Sequence, residues 1–403
     1  MIVNPYAVNV PGTVIGRQQP MAQAPVNRLQ RPKEMDLPRA LNFYADYSGC
    51  GFWRMIWPEH ILNAYQKMVV HGSTVMTFDD KWLTTNAKSL RVQRQATPHQ
   101  LEYAKFLRQI ADKNNMHMIY EIDDIVFEED IPHYNKFRGA FTDPAIRESS
   151  QAIMSLCDEI TVTCDFMKEY YKSKTGHKQV TVIPNYIPKL WMGHCYDEKV
   201  VSRNFDKNRK RPRILYPGSG AHFDVENRAK QQDDFGHVLD AVIKTRKKYK
   251  WVFLGGYPLS LQQYIQSGEM EFQPWTELYE YPSAVLNLKP NVLVAPLCDN
   301  NFNRAKSDLK YIEACALGIP AVCQDLDTYQ NAPYRFVTGD EMIDQIDAVT
   351  KDKSTYMKIG RAGNRLAQTR WLESPNNIDK YNELYRYPYG APERVLLNKQ
   401  NGL

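Results

Sequence analysis

Short apolar runs of strand length recur along most of this chain, separated by stretches whose apolar residues repeat at helical spacing. That alternation predicts strand–helix–strand units folded into parallel sheets. Residues 1–38 stand apart: rich in Pro, Gln, Asn and Val, with neither period, they read as an extended arm. From Ala40 onward ALNFYADYS predicts a strand and Pro58 the first turn of a helix; STVMTF, SLRVQRQ, HMIYEID and EITVTC predict further strands, with LEYAKFLRQIADKNN a helix between two of them. Regularity stops at VTVIPNYIPKLW, where prolines flank Asn185 and Tyr186. A basic, polar stretch follows, and residues 184–212 read as a linker. The alternation then restarts with RILYPGSG, the helix DFGHVLDAVIKTRKKY, the strand KWVFLGG, the run FQPW and a helix near YPSAVLNL. It continues through the strand NVLVAPL, a helix from about Lys306, the strand PAVCQD and two helices, DEMIDQIDAVTKD and KSTYMKIGRAGNRLAQTRWL. Phe235, Val238, Leu239 and Val242 share one face, as a helix packed on a sheet requires. The expected organisation is an N-terminal domain over 39–183, the linker, a C-terminal domain over 213–372, and a tail over 373–403 that packs back on the first domain.

Length agrees with two domains: 403 residues exceed one ordinary compact unit. With 43% hydrophobic and 24% charged residues, the chain is composed like a globular protein that buries ordinary cores. The apolar runs are too short to span a bilayer, and the first residues lack the pattern of a secretory signal, so the reading places the chain in a cytoplasm. Its 7 Cys are scattered, without a Cys-x-x-Cys pair, against both a disulfide framework and a zinc site. A net charge of +5 favours an anionic partner without choosing one. Two basic clusters stand out, KNRKRPR at 207–213 and KTRKKYK at 244–250, each also readable as solvated surface.

Ligands in open parallel sheets bind beyond the carboxyl ends of the strands, so residues just after apolar runs carry the candidate chemistry. After NVLVAPL, Lys306, Lys310 and Glu313 fall at i, i+4 and i+7 beside a stripe of Leu309, Ile312 and Ala316. A lysine at such a helix start neutralises a diphosphate, and a carboxylate two turns on accepts hydrogen bonds from a ribose diol; an exposed helix with a Lys–Glu pair fits the same pattern. Gly218 and Gly220 flank Ser219 after RILYPGSG and admit close backbone approach to a phosphate, with His222 and Asp224 next and Arg228 and Lys230 beyond. The same Gly-Ser-Gly also fits an ordinary turn. In the N-terminal half SGCGFWR places Gly49 and Gly51 ahead of Arg54, and SLRVQRQ carries Arg94 near its end. MHMIYEIDD delivers Glu121, Asp123 and Asp124 just past an apolar strand, where three carboxylates repel unless exposed, paired or functional.

The segment Phe302, Asn303, Lys306, Ser307, Lys310, Glu313, then Ala316, Leu317, Gly318, Ile319 and Pro320, resembles the donor-site helix and following turn of family 4-like retaining glycosyltransferases. The likeness extends through YPGSGAHFD, the joint IPN and the helix ending near Trp371. It implies an α/β GT-B fold, two Rossmann-like parallel-sheet domains facing across a cleft. A nucleotide-sugar, UDP-linked, would be co-substrate, with no tightly bound cofactor and no required metal. By this resemblance Glu313 matches the second Glu of a Glu, seven residues, Glu motif and would hold the ribose. The first Glu falls at Ala305, a departure that leaves Asn303 or Lys306 as substitutes. Donor-binding roles are implied for Gly218, Ser219, Gly220, His222, Arg228, Lys230, Asn303, Ser307, Lys310 and Glu313. Acceptor-side roles are implied for Gly49, Gly51, Arg54, Arg94 and Glu121, and catalytic ones for Lys306, Asp123 and Asp124. YEIDD and the chain as a whole also resemble phage-encoded glycosyltransferases, some of which place glucose or arabinose on hydroxymethylcytosine in DNA. The basic clusters suit DNA phosphates, which makes hydroxymethylcytosine in phage DNA, in a host cytoplasm, the leading acceptor. The alternatives are envelope polysaccharide or glycoprotein synthesis, with the basic clusters on anionic lipid at a membrane surface, and a noncatalytic sugar- or nucleotide-binding protein.

Overall fold

A computed structural model describes residues 37–74, 84, 86–224 and 233–386. Two parallel sheets of six strands each organise these residues. The first contains β1 (Arg39–Phe43), β2 (Val69–Ser73), β3 (Ala87–Gln93), β4 (His117–Glu121), β5 (Glu159–Val162) and β6 (Val180–Val182), in the order β2-β1-β3-β4-β5-β6. The second contains β7 (Arg213–Gly218), β8 (Lys250–Gly255), β9 (Glu271–Pro274), β10 (Val292–Ala295), β11 (Ala321–Gln324) and β12 (Arg335–Phe336), in the order β12-β11-β10-β7-β8-β9. Every residue of β1, β4 and β10 is buried, as strands covered by helices on both faces must be. Thr97 and Gln100 form a reciprocal cap at the start of the helix Pro98–Lys113, which lays Ala104, Leu107 and Ala111 on the first sheet.

Several boundaries differ from the sequence reading. The strand expected at STVMTF lies one step earlier, at β2, and residues 75–78 fall outside the described residues. Residues 184–212 are more regular than a linker: the helix Glu198–Asn208 is capped by the Asp197 carboxylate and buries Val201 and Phe205. β6 forms ahead of the prolines because its backbone completes the ladder beside β5. The helix expected from Lys306 is two pieces, Asn301–Arg304 and Leu309–Ala316. Phe302 and Ala305 join the core of the first sheet, whereas Ile312, Ala314 and Cys315 pack under the second, so the chain turns between them. Lys306 and Ser307 sit in that turn.

After its second sheet the chain returns to the first. Ile187 bridges Trp371, and the helix Pro375–Arg386 buries Ile378, Tyr381, Leu384 and Tyr385. The Tyr385 hydroxyl donates to Asn42 Oδ1 at 3.0 Å and accepts from Arg91 Nη1 at 3.1 Å.

Candidate nucleotide-binding cleft

Each sheet has a switch point where neighbouring strands lead the chain in opposite directions, between β1 and β3 and between β7 and β10. Crevices open there beyond the carboxyl ends. The segments that leave these ends meet: Lys306 Nζ lies 3.9 Å from Asp124, Cys164 Sγ 3.5 Å from the Ala305 carbonyl, and the Tyr134 hydroxyl donates to Asp234 at 2.6 Å. The two carboxyl edges therefore face one another across a cleft.

On the C-terminal side, β7 runs into the loop of Gly218, Ser219 and Gly220. A Cβ on Gly218 would stand 2.6 Å from the Tyr216 ring, so any larger residue would push that buried ring aside. Behind it, Gly255 ends β8 with φ +96°, and a Cβ there would lie 2.7 Å from the Gly218 carbonyl. Ser219 Oγ accepts the Ala221 amide at 3.3 Å and starts the short turn Gly220–His222. Lys310, the second residue of the helix Leu309–Ala316, holds its ammonium 4.8 Å from the Tyr216 ring centroid. That nitrogen has no exposed surface and no hydrogen-bond partner. Burial pulls its pKa down to about 8, against the pull of Asp234. One helical turn on, Glu313 accepts from the Tyr281 hydroxyl at 3.0 Å, and burial pushes its carboxyl up to about 7. A buried cation without a partner costs free energy unless an anion completes it.

On the N-terminal side, Asp46 Oδ1 accepts the Ser48 amide at 2.7 Å and the Gly51 amide at 3.3 Å, folding the Gly49–Gly51 loop into a helical turn. A Cβ on Gly51 would collide with the Asp46 carbonyl at 2.0 Å. Arg94, with φ 48°, reaches Asp123 at 3.3 Å. Burial raises the Asp123 carboxyl, but Arg94, the Cys50 thiol and Arg54 together outweigh it and hold the group below the usual range. Asp124 is held above that range by burial, partly offset by Lys306.

Not all the residues singled out from sequence share this cleft. Arg54 and Glu121 have no exposed side-chain surface. Glu121 takes hydrogen bonds from Arg54, Arg91 and Thr161, and Arg54 continues to the Ile183 carbonyl at 2.6 Å and Asn185 Oδ1 at 2.9 Å. Both sit inside the scaffold. Asn303 is also fully buried, its amide given to Tyr134, Asp234 and the Cys298 carbonyl. Ser307 Oγ accepts from Asn185 Nδ2 at 3.0 Å. The i, i+4, i+7 edge is divided, with Lys306 in the turn and Lys310 and Glu313 on the helix. Ala305 is buried against the first sheet's core, which explains a small residue there. Asp224 is buried beside Asp233, and Arg228 and Lys230 lie outside the described residues.

Sequence reasoning missed Asp234, Tyr134, Tyr281 and Trp275. Asp234 follows His222 by twelve residues and accepts from its Nδ1 at 2.7 Å, a spacing that carries no local signal. Trp275, 69% exposed after β9, places its ring about the Gly255 corner. Beside the cleft a groove of about 670 Å³ opens between the halves, lined among others by Asp130, Asp165, Glu169, Tyr170, Asn301 and Asp327. The two basic clusters lie at the amino edge of the second sheet, where β7 and β8 begin. Arg213 pairs with Glu271, Arg246 with Glu269 at 2.8 Å and Lys248 with Asp347 at 2.6 Å. Among the described residues no group of three or more His, Cys, Asp and Glu converges, and no helix is long and apolar enough to cross a membrane.

No family model matches the sequence, and no curated protein is similar to it at the sequence level. Solved structures are similar in fold. Anabaena Alr3699/HepE, in complex with UDP and glucose, superposes with a TM-score of 0.53 at 9% identity over 86% of this chain and 97% of that one. Its UDP-glucose complex gives 0.51 at 10% identity over 86% and 97%. A UDP-forming α,α-trehalose-phosphate synthase from Burkholderia xenovorans gives 0.50 at 12% identity over 88% and 99%. Two six-stranded parallel sheets with facing carboxyl edges, matched over nearly the whole length of these enzymes, make the fold of this chain that of the GT-B glycosyltransferases.

Proposed function

We propose that this protein transfers a sugar from a nucleoside-diphosphate sugar, UDP-linked, to an acceptor hydroxyl, with retention of configuration. The observation that carries the reading is the Lys310 ammonium, buried against the Tyr216 ring without a hydrogen-bond partner at a glycine-lined strand end. A diphosphate supplies the charge it lacks. Glu313, about one helical turn further on, then faces the ribose, and the exposed Trp275 ring flanks the base. UDP in the HepE structures supports the choice of nucleotide. Catalysis consists of positioning and of stabilising the departing diphosphate by Lys306, Lys310 and the Gly218–Gly220 amides. Asp123 and Asp124 face this group from the other wall and orient the acceptor.

The acceptor read from the charge pattern, hydroxymethylcytosine in DNA, draws no support from where the basic residues fall. Both clusters lie at the sheet edge opposite the cleft, where Arg213, Arg246, Lys248 and Lys250 are paired with acids. The groove beside the cleft presents Asp130, Asp165, Glu169 and Asp327 against the cation Lys174, an excess of negative charge that repels a phosphate backbone. An uncharged acceptor hydroxyl suits these walls better. The test is to incubate the protein with a panel of UDP-sugars, each with glycan acceptors and with hydroxymethylcytosine DNA, and to measure UDP release and product mass. Release of UDP with a sugar-sized mass increase supports transfer; tight UDP binding without release from any donor supports a binding protein instead. Lys306→Ala should lower turnover about 100-fold while leaving the melting temperature near the parent's.

The titration of the site gives a further expectation. Glu313 is charged only above about 7 and Lys310 fully charged only below about 8. Affinity for UDP-glucose, whose diphosphate does not itself titrate near neutrality, should therefore peak between these values and fall on both sides. Calorimetric titration from pH 6 to 9 checks this. Glu313→Gln should flatten the acid side alone; an acid side that persists unchanged excludes Glu313 as its source.

A further inference from the structure

Asp234 lies where both halves and three separate segments meet. Its carboxylate accepts from His222 Nδ1 at 2.7 Å, from the Tyr134 hydroxyl at 2.6 Å and from the Cys298 amide at 3.0 Å, together with the Asn303 amide. Tyr134 comes from the N-terminal half and crosses the cleft to reach it. Only 1% of Asp234 is exposed. Burial raises its carboxyl, but the bonds from His222, Tyr134 and Cys298 outweigh that and hold it below the usual range.

An ionised carboxylate only accepts, so the His222 hydrogen resides on Nδ1 and Nε2 is left with a bare lone pair. The charged groups around this ring are Lys310, Asp234 and Lys306. Burial, with Lys310, draws the imidazole pKa down to about 4 against the pull of Asp234, so the ring is neutral at working pH. A neutral imidazole oriented by a buried carboxylate is the arrangement of a proton acceptor whose cation the carboxylate then stabilises. Once a diphosphate neutralises the two lysines, their opposition to an imidazolium is relieved.

We propose that His222 is the catalytic proton acceptor of the sugar transfer described above, on which this inference rests, and that Asp234 and Tyr134 are positioning residues that hold its Nε2 at the diphosphate. In the step, the acceptor O–H bond breaks and its proton passes to Nε2. The acceptor oxygen bonds to the anomeric carbon of the donor. The bond from that carbon to the phosphate oxygen breaks, and its electron pair leaves on the nucleoside diphosphate. The imidazolium then gives its proton to the departing diphosphate or to water. Because the lysines place the diphosphate beside His222, this acceptor serves attack from the leaving-group face, the face that retention uses. Tyr134 makes the orientation depend on both halves being apposed.

Asp234→Asn tests the arrangement without changing shape. The amide oxygen still accepts from Tyr134 and Cys298, while its NH2 turns to His222 and forces the ring hydrogen onto Nε2. With whichever of UDP-glucose, UDP-galactose and UDP-N-acetylglucosamine the parent turns over, kcat should fall about 100- to 10,000-fold. KM for the donor should stay within about threefold, since no donor contact is removed. His222→Ala should lose a comparable factor and regain part of it with added imidazole, which a structural role does not explain; this variant decides the matter if Asp234→Asn does not fold. A parent that releases UDP while Asp234→Asn is equally active, or a His222→Ala variant that imidazole leaves unchanged, overturns the proton-acceptor role alone. A parent that neither binds UDP nor releases it from any donor overturns the reading of sugar transfer and this inference with it.

Discussion

Replacing Lys310 by Met should give a protein that is more stable when empty and no longer responds to UDP. The ammonium is buried without a hydrogen-bond partner, and its pKa in the folded chain is about 8 against an ordinary 10.5. A base whose folded pKa is depressed opposes folding fully at pH below the folded value, and the opposition fades as pH rises toward the unfolded one. At pH 7 the charge is therefore a burden. Met fills similar volume without it, and the expected gain is about 1–3 kcal/mol, vanishing near pH 10.5. Loss of a desolvated charge pair with the diphosphate weakens binding by about 2–5 kcal/mol, or about 30- to 5,000-fold. Thermal melts with and without millimolar UDP read both effects. The parent should melt higher with UDP, and Lys310→Met should melt higher than the parent without it and shift little when it is added. A variant that loses stability, or that keeps the full UDP shift, contradicts the assignment.

Glu121→Ala should instead damage the fold. It leaves the Arg54 and Arg91 guanidinium groups buried with no carboxylate between them, at a site where neither side chain has exposed surface. Removing one member of such a buried pair costs about 3–5 kcal/mol. The consequence should reach the cleft, because Arg54 holds Asn185, Asn185 holds Ser307, and Arg370 ties the Asn185 carbonyl and Asp308 together just ahead of the Lys310 helix. Urea unfolding should show a lower midpoint, and donor affinity should fall with it. A midpoint unchanged from the parent would show that the pair adds nothing to the fold.

Glu121 also shows where sequence reasoning reaches its limit. The parallel architecture was legible because buried strands such as VLVA and HMIYE are continuous apolar runs. The helix that carries Lys310 and Glu313 was legible because both follow such a run at helical spacing. Glu121 and Asp123 look alike in YEIDD, yet Glu121 is the last residue of β4 and Asp123 lies in the loop beyond it. One meets two arginines from distant segments, and the other meets Arg94 at the cleft. Which partner each carboxylate finds is a property of the sheet order, and residue spacing does not contain it. Tyr134 and Asp234, 100 residues apart, were invisible for the same reason. The break after Arg304 was hidden because Phe302 and Ala305 keep helical spacing with the residues that follow while packing on the other half.

The central claim is that the glycine-lined end of β7 and the Lys310 helix hold a nucleoside diphosphate. Its most direct test is a crystal structure of the protein with UDP. The diphosphate should lie within hydrogen-bonding distance of Lys310 Nζ and of the Gly218–Gly220 amides, with the ribose hydroxyls on Glu313. UDP bound elsewhere, or a cleft left empty at millimolar UDP with the Lys310 ammonium still unpartnered, would contradict it.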